Sequence, residues 1–189
     1  KYYNQNQLDI LCYGDGIGLD SQIHAENGHR VTYSDFESLT SKFSQHRIHQ
    51  TGLIENVKFI FKENKILNDN YNVVICREVL EHLENPIDAM HNLWGYLNKD
   101  GICFLSESFS RVEKSFPTHL ASNLKYVGKT IEVMVEAGFK YIDNFGNSNL
   151  LVFKKTNIND KDRFDTIPRI SLKTKIKKRI RNKIIYYLS

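Results

Sequence analysis

The segment Cys12-Tyr13-Gly14-Asp15-Gly16-Ile17-Gly18 constrains this chain more than any other. It follows the apolar run Leu8–Leu11 and precedes a helical pattern, Leu19–Ala25. Asp35 stands 21 positions after Gly14, at the end of a second apolar run. Strand, glycine turn, helix, strand and acid is the order that receives a nucleoside cofactor. Glycines let the backbone turn sharply and approach a ligand closely. A carboxylate at the second strand end can accept hydrogen bonds from both ribose hydroxyls. A tight turn without a ligand is the plainer reading of the glycines alone, so the rest of the chain has to decide.

The alternation continues. Strand-like runs occur at Leu8–Tyr13, Arg30–Ser34, Val57–Phe61, Asn72–Cys76 and Gly101–Ser106, with helical patterns at Leu19–Asn27, Phe36–His49 and Pro86–Leu97. Alternating strands and helices predict a parallel sheet covered by helices. Pro86 suits the first turn of its helix, with Asn85 as N-cap, and Asn98-Lys99-Asp100-Gly101 carries turn chemistry after it. The third and fourth runs are joined only by Lys62–Tyr71. Ten residues reach at most about 33–36 Å. Crossing three strands and returning one strand length needs roughly 22 Å, so little or no helix is required there. A further helix is expected over Lys125–Ala137, closed by Gly138. Phe139–Phe145 and Asn149–Lys154, joined by Gly146-Asn147-Ser148, read as a hairpin.

Length and composition fit this picture. At 189 residues the chain suits one domain with a full core. It is 41% apolar and 25% charged, as soluble globular proteins are. No run of 18 apolar residues exists to span a membrane. No secretory signal is visible, and the chain starts at Lys1, which suggests a fragment or a trimmed piece. Cys12, Cys76 and Cys103 each sit in an apolar run, so they read as buried, reduced thiols of a cytoplasmic protein. Their spacing makes neither a zinc pattern nor a redox pair, and no metal site is assigned.

Net charge is +4, but seven lysines and arginines crowd into residues 171–189 without an acid. Residues 1–170 therefore carry −3, which argues against a nucleic-acid-binding face on the domain. In the tail, Leu172, Ile176, Ile180, Ile184 and Leu188 recur every four residues among the basic ones. That is a basic amphipathic helix pattern. It suits contact with an anionic membrane surface, or packing on the domain or a second subunit. The expected organisation is a domain over 1–155, a linker over 156–169 and a tail helix over 170–189, with the protein cytoplasmic and peripheral at the inner membrane through the tail.

Taken in order, these features resemble the class I S-adenosylmethionine-dependent methyltransferases. The match rests on the glycine loop Gly14–Gly18, on Asp35 after Val31-Thr32-Tyr33-Ser34, and on Leu97–Gly101 before the fifth strand. It rests most on Glu78-Val79-Leu80-Glu81-His82 after the fourth strand, and it ends with the closing hairpin. The resemblance implies an α/β, Rossmann-like, seven-stranded and mostly parallel sheet with an antiparallel last strand and helices on both faces. It implies S-adenosylmethionine as cofactor, with S-adenosylhomocysteine as product. The family often places an acid two residues before the first loop glycine and Asp at the start of the fourth strand; Cys12 and Asn72 stand there in this chain. Relatives commonly carry helices before the first strand that cover the active site, so that cover is expected to be absent here or supplied by a partner.

The resemblance also assigns residues. Gly14, Gly16, Gly18 and Cys76 would lend backbone to the methionine part of the cofactor, and Asp35 would take the ribose. Phe36 would pack on adenine or be an ordinary helix-start core residue. Residues 62–64 would border the adenine. Asp15 would meet the cofactor amine or stabilise the turn, and Glu78 would face the cofactor. Arg77, Glu107, Arg111 and Tyr126 are the candidates for binding a small-molecule acceptor. His119 and His82 are the candidates for catalysis, His119 lying in an 18-residue stretch, Glu107–Leu124, long enough for a substrate lid. His24, His29, His46, His49 and His91 receive no role. The acceptor expected is a sugar or a phosphate- or phosphoramidate-type precursor, from a likeness to methyltransferases encoded among bacterial capsule-polysaccharide enzymes. Two other readings stand beside it. One is a catalytically silent methyltransferase-like binding subunit. The other is a nucleic-acid methyltransferase, which the missing Asn/Asp-Pro-Pro-Tyr/Phe motif disfavours.

Overall fold

The computed structural model describes residues 7–145 and 149–168. Its elements are β1 (Asp9–Tyr13), α1 (Leu19–Glu26), β2 (Arg30–Ser34), α2 (Leu39–Gln50), β3 (Val57–Ile60), β4 (Tyr71–Arg77), α3 (Pro86–Tyr96), β5 (Leu97–Ser106), α4 (Thr130–Glu136), β6 (Phe139–Asn144) and β7 (Leu151–Lys155). The strands form one sheet in the order β3-β2-β1-β4-β5-β7-β6. β1 through β5 pair in parallel, and β7 runs antiparallel to both β5 and β6. This is the Rossmann-like sheet expected from the sequence. The short crossover from β3 to β4 holds one 3-10 turn, Glu63–Lys65.

Successive strand residues point to opposite faces, so each face acquires its own core. Leu11, Val74 and Cys76 meet Met90 and Leu93 of α3 and Met134 of α4 on one side. Ile10, Cys12, Tyr33 and Ile75 meet Ala25 of α1 and Ile48 of α2 on the other. All three cysteines are buried and free. Asn72 is also built in: its Oδ1 accepts from the Asp9 amide at 2.8 Å, tying β4 to the start of β1.

Local chemistry moves several boundaries. α2 begins at Leu39, not Phe36, because Ser38 and Ser41 form a reciprocal capping box. Asn85 sits at the N-cap of α3, but its side chain donates to Asp88 instead of capping. Asn98–Gly101 belongs to β5, with Asp100 at φ 64° absorbing the irregularity. The helix expected over Lys125–Ala137 divides into a 3-10 turn, Ala121–Tyr126, and α4.

Residues 156–168 carry a docked 3-10 segment, Lys161–Thr166, where a linker was expected. Arg163 is buried there, with Nε donating to Val135 O at 2.9 Å and Nη1 to Ile158 O at 2.6 Å. No apolar periodicity announces an anchor that works through one guanidinium and backbone carbonyls. The tail expected over 170–189 lies outside the described residues. Among those that are described, no helix is long and apolar enough to cross a membrane.

Candidate active site

β1 and β4 are neighbours, yet the chain leaves them toward opposite sheet edges. Ligands bind at the carboxyl ends of strands at such a switch point. A crevice of about 190 Å³ opens there, lined by Cys12 to Ile17, Leu19, Asp20, Ile75 and Arg77. Beside it lies a second cavity of about 350 Å³, lined by Arg77, Glu78, Ser106, Ser108, Arg111, Asn149 and Leu150. Arg77 borders both.

The glycine turn is held by its neighbours. Gly14 has φ 70°, and a Cβ on it would come within 2.5 Å of Val79 Cγ2. The β1 turn and the turn after β4 are thus packed backbone to side chain. Gly16, at φ 52°, faces open space: a Cβ there would meet no protein atom within 4 Å. Its amide donates to Asp35 Oδ2 at 2.6 Å, and its carbonyl accepts from Tyr33 Oη at 2.7 Å. Asp35 Oδ1 accepts from the Phe36 amide at 2.7 Å. Each carboxylate oxygen keeps a second lone pair for a hydroxyl.

Asp15 is engaged in the turn, accepting from Ser21 N at 2.8 Å and Asp20 N at 3.2 Å. It does the capping of α1 that Gly18 cannot do, since Gly18 lacks a side chain. Burial raises its pKa above the usual carboxylate value. Phe36 is 73% exposed beside Asp35, so it is not a core residue. The Cys76 side chain lies in the α3-side core, and Cys76 does not line the crevice. Glu63, in the stretch expected to border the adenine, accepts from Tyr13, Tyr96 and Asn92.

The second cavity is built on the turn after β4. Glu78 sits at φ 53°, a conformation costly for a residue with a Cβ. Its amide donates to Ser106 O at 3.0 Å, and its carboxylate accepts from the Ser108 hydroxyl. Burial pushes its pKa up, but the hydrogen bonds from Ser108 and Ser106 prevail and hold it below the usual value. Three residues on, Glu81 is 1% exposed, and neither of its carboxylate oxygens has a hydrogen-bond partner. Burial lifts its pKa to about 7, helped by the charge of Glu78.

The imidazoles of His82 and His119 meet edge to face with centroids 4.8 Å apart. His119 also stacks near Phe116 at 5.0 Å, over which Arg111 lies at 5.8 Å. Burial, then the neighbouring His82, holds the His119 pKa below the usual histidine value. The stretch that carries His119 is latched down. Leu120 N donates to Glu81 O at 3.0 Å, and the buried Asn123 amide donates to Glu81 O at 3.2 Å and Leu83 O at 2.9 Å.

A family model described as a methyltransferase domain matches residues 3–128. The chain belongs to the methyltransferase domain family. The ubiquinone biosynthesis O-methyltransferase of Rickettsia canadensis is 31% identical over 122 residues, covering 61% of this chain and 49% of that one. The chain thus spans about half the length of the curated relatives it matches. Among solved structures, an S-adenosylmethionine-dependent methyltransferase from Aquifex aeolicus aligns with TM-score 0.62 at 13% identity, covering 78% of this chain and 81% of that one. The 1,6-didemethyltoxoflavin-N1-methyltransferase of Burkholderia thailandensis, crystallised with S-adenosylhomocysteine, aligns with TM-score 0.58 at 17% identity, covering 80% and 72%. At these identities the structures show the shared fold.

S-adenosylmethionine is the cofactor of this family, and the residues of this methyltransferase domain fit it. The open space over Gly16 and the two-oxygen carboxylate of Asp35 stand where a nucleoside would enter. Arg77, Glu78 and Arg111 line the second cavity together; Arg77 and Arg111 were expected on the acceptor side, Glu78 at the cofactor. Glu107 and Tyr126 do not line it. Both Glu107 oxygens are engaged inside the domain, by Phe109 N at 2.8 Å and Thr130 Oγ1 at 2.7 Å. Tyr126 packs against Phe109. Sequence reasoning passed over Glu81 and Asn123. Glu81 stood inside the motif that pointed to the family; nothing in the sequence marks Asn123.

Proposed function

We propose that the protein is an S-adenosylmethionine-dependent O-methyltransferase acting on a small polar acceptor held between Arg77, Glu78, Ser108 and Arg111. The observation that carries this is the adjacency of the two cavities, with Arg77 on the rim of each. One has the glycine turn that suits a nucleoside cofactor, and the other shares Arg77 with it. Oxygen as the acceptor atom follows the name of the R. canadensis relative. The N1-methyltransferase of the same fold is a reminder that the fold does not choose the atom.

When bound, S-adenosylmethionine supplies an electrophilic methyl group. The domain's own share is placement. Holding acceptor and donor aligned can supply several kcal/mol, of order 7–11 in favourable cases. Asp35 and the Gly16 turn fix one partner, and the arginines with Ser108 fix the other. A hydroxyl acceptor must also lose its proton. Burial holds the His119 pKa below the usual histidine value, which favours the neutral ring that can take that proton.

The narrower reading, a sugar or phosphate-type acceptor in capsule-polysaccharide modification, draws support only from the two arginines of the cavity. The comparisons lend it none, and the relatives' names point to ubiquinone biosynthesis. Labelled methyl transfer to phenolic, sugar and phosphate-ester hydroxyl compounds, compared with amines, tests the proposal. Transfer to a hydroxyl that falls in Arg111→Ala mainly through KM supports it. Transfer only to nitrogen, or none to any acceptor by a cofactor-saturated protein, rejects it.

A further inference from the structure

A cluster formed by the turn after β4 and the segment after β5 has the donors of a cation site. One ligand atom each from Glu81, His82 and His119 lies within 4.8 Å of the others. Ligand atoms around a first-row dication at about 2.0–2.2 Å sit up to roughly 4 Å apart, so small side-chain adjustments complete the geometry. We propose that Glu81, His82 and His119 bind a divalent transition-metal cation that the acceptor hydroxyl can reach.

Three independent features point there. First, Glu81 is almost fully buried, yet neither carboxylate oxygen is paired. A buried carboxylate without a donor is costly, and a cation removes the cost. Second, His119 Nδ1 is likewise buried and makes no hydrogen bond of good geometry, although the backbone of Ser108 and Arg111 is close by. Third, His82 Nδ1 lies 3.2 Å from Thr118 O. A carbonyl can only accept, so that contact requires the proton on Nδ1 and leaves the Nε2 lone pair free. This is how metal-binding histidines are ordinarily oriented.

The supporting shell is in place. Leu120 N and Asn123 Nδ2 donate to the carbonyl of Glu81, so the segment bearing His119 is fastened to the turn bearing the other two ligands. Two imidazoles and one carboxylate suit manganese, iron, cobalt or zinc dications better than magnesium or calcium, which favour all-oxygen shells. Three protein ligands leave positions open for an acceptor oxygen. His82 is exposed, which opens the site to solvent. Glu78 and the backbone of Ser108 and Arg111 lie against His119, so the site adjoins the cavity assigned above to the acceptor. The catalytic role rests on the methyltransferase reading: a bound cation takes over the task given there to His119, acidifying the hydroxyl it holds. Cation binding itself does not depend on that reading.

The competing account of the unpaired oxygens is a proton held between Glu81 and its neighbour Glu78. The test uses the full chain, stripped with a chelator, dialysed and titrated with cobalt chloride. Visible absorption reports imidazole coordination, and calorimetry reports stoichiometry. The expected result is one cobalt ion per chain, displaced by zinc, with affinity reduced about 10-fold or more in Glu81→Gln and in His119→Asn. Circular dichroism establishes that each variant is folded. No cobalt spectrum in the folded wild-type chain, or a spectrum unchanged in both variants, overturns the proposal. Calorimetry with S-adenosylmethionine on the same samples separates this outcome from failure of the methyltransferase reading.

Discussion

The amide of Gly16 donates to Asp35 Oδ2 across 2.6 Å, fastening the turn after β1 to the end of β2. The other oxygen of Asp35 holds the Phe36 amide at 2.7 Å. The residue expected to serve the cofactor therefore shapes the site itself as well. Asp35→Ala leaves two amides without their acceptor. Hydrogen bonds to a charged group contribute about 1.5–3 kcal/mol each, with some recovery through water. A loss of roughly 2 kcal/mol in a urea titration is predicted, and a smaller loss in Asp35→Asn. A fully stable Asp35→Ala protein contradicts this.

The two glycines of the turn separate stability from binding. Gly14→Ala combines a left-handed backbone with a clash against Val79, together costing about 2–4 kcal/mol. Gly16→Ala pays only the backbone term, about 1–2 kcal/mol, because no protein atom lies near the added methyl. Its methyl instead projects into the space a ligand needs. Thermal melts should rank Gly14→Ala as much the worse, whereas cofactor titration should show Gly16→Ala bound weakly although folded. Equal melting losses in the two variants contradict the assignment of that space.

Asn123 is predicted to be the latch of the segment between β5 and α4. Its amide reaches the carbonyls of Leu80, Glu81 and Leu83 from a position 1% exposed. Asn123→Ala strands those carbonyls, at a cost of about 1–3 kcal/mol. Hydrogen exchange at Leu120, whose amide donates to Glu81 O, should quicken before that of the central strands. Global loosening without preferential exchange at Leu120 argues against a local latch.

Acid should weaken the α1 side of the domain first near pH 6. Burial lowers the pKa of His24 from 6.5, and His29 adds to the effect, while Asp20 opposes it. A base whose folded pKa is depressed contributes stability above its unfolded pKa. That stability drains away as pH falls from 6.5 through the folded value. His24→Gln should flatten the stability-pH curve in that window. An unchanged slope assigns the loss to another group.

The sheet was legible because its causes are local: apolar runs, turn residues and a crossover that needs little or no helix. Phe36 was harder, since an aromatic after a strand reads equally as core or as ligand platform, and only its exposure beside Asp35 decides that it is not core. Glu107 looked available because a sequence shows a carboxylate but not the Phe109 amide and Thr130 hydroxyl that engage it. Glu81 lay in plain view within the motif after β4. Its importance depends on His119, 38 positions away, being folded back against it. Arg163 and Asn123 were invisible for the same reason: their partners are backbone carbonyls, which every residue has.

Calorimetric titration of S-adenosylmethionine into the chain, with Asp35→Asn alongside, tests the central reading most directly. The account predicts one site per chain in the micromolar range, shared by S-adenosylhomocysteine, and weakened about tenfold or more by the substitution. No saturable binding by the folded chain, or binding indifferent to Asp35, would contradict it.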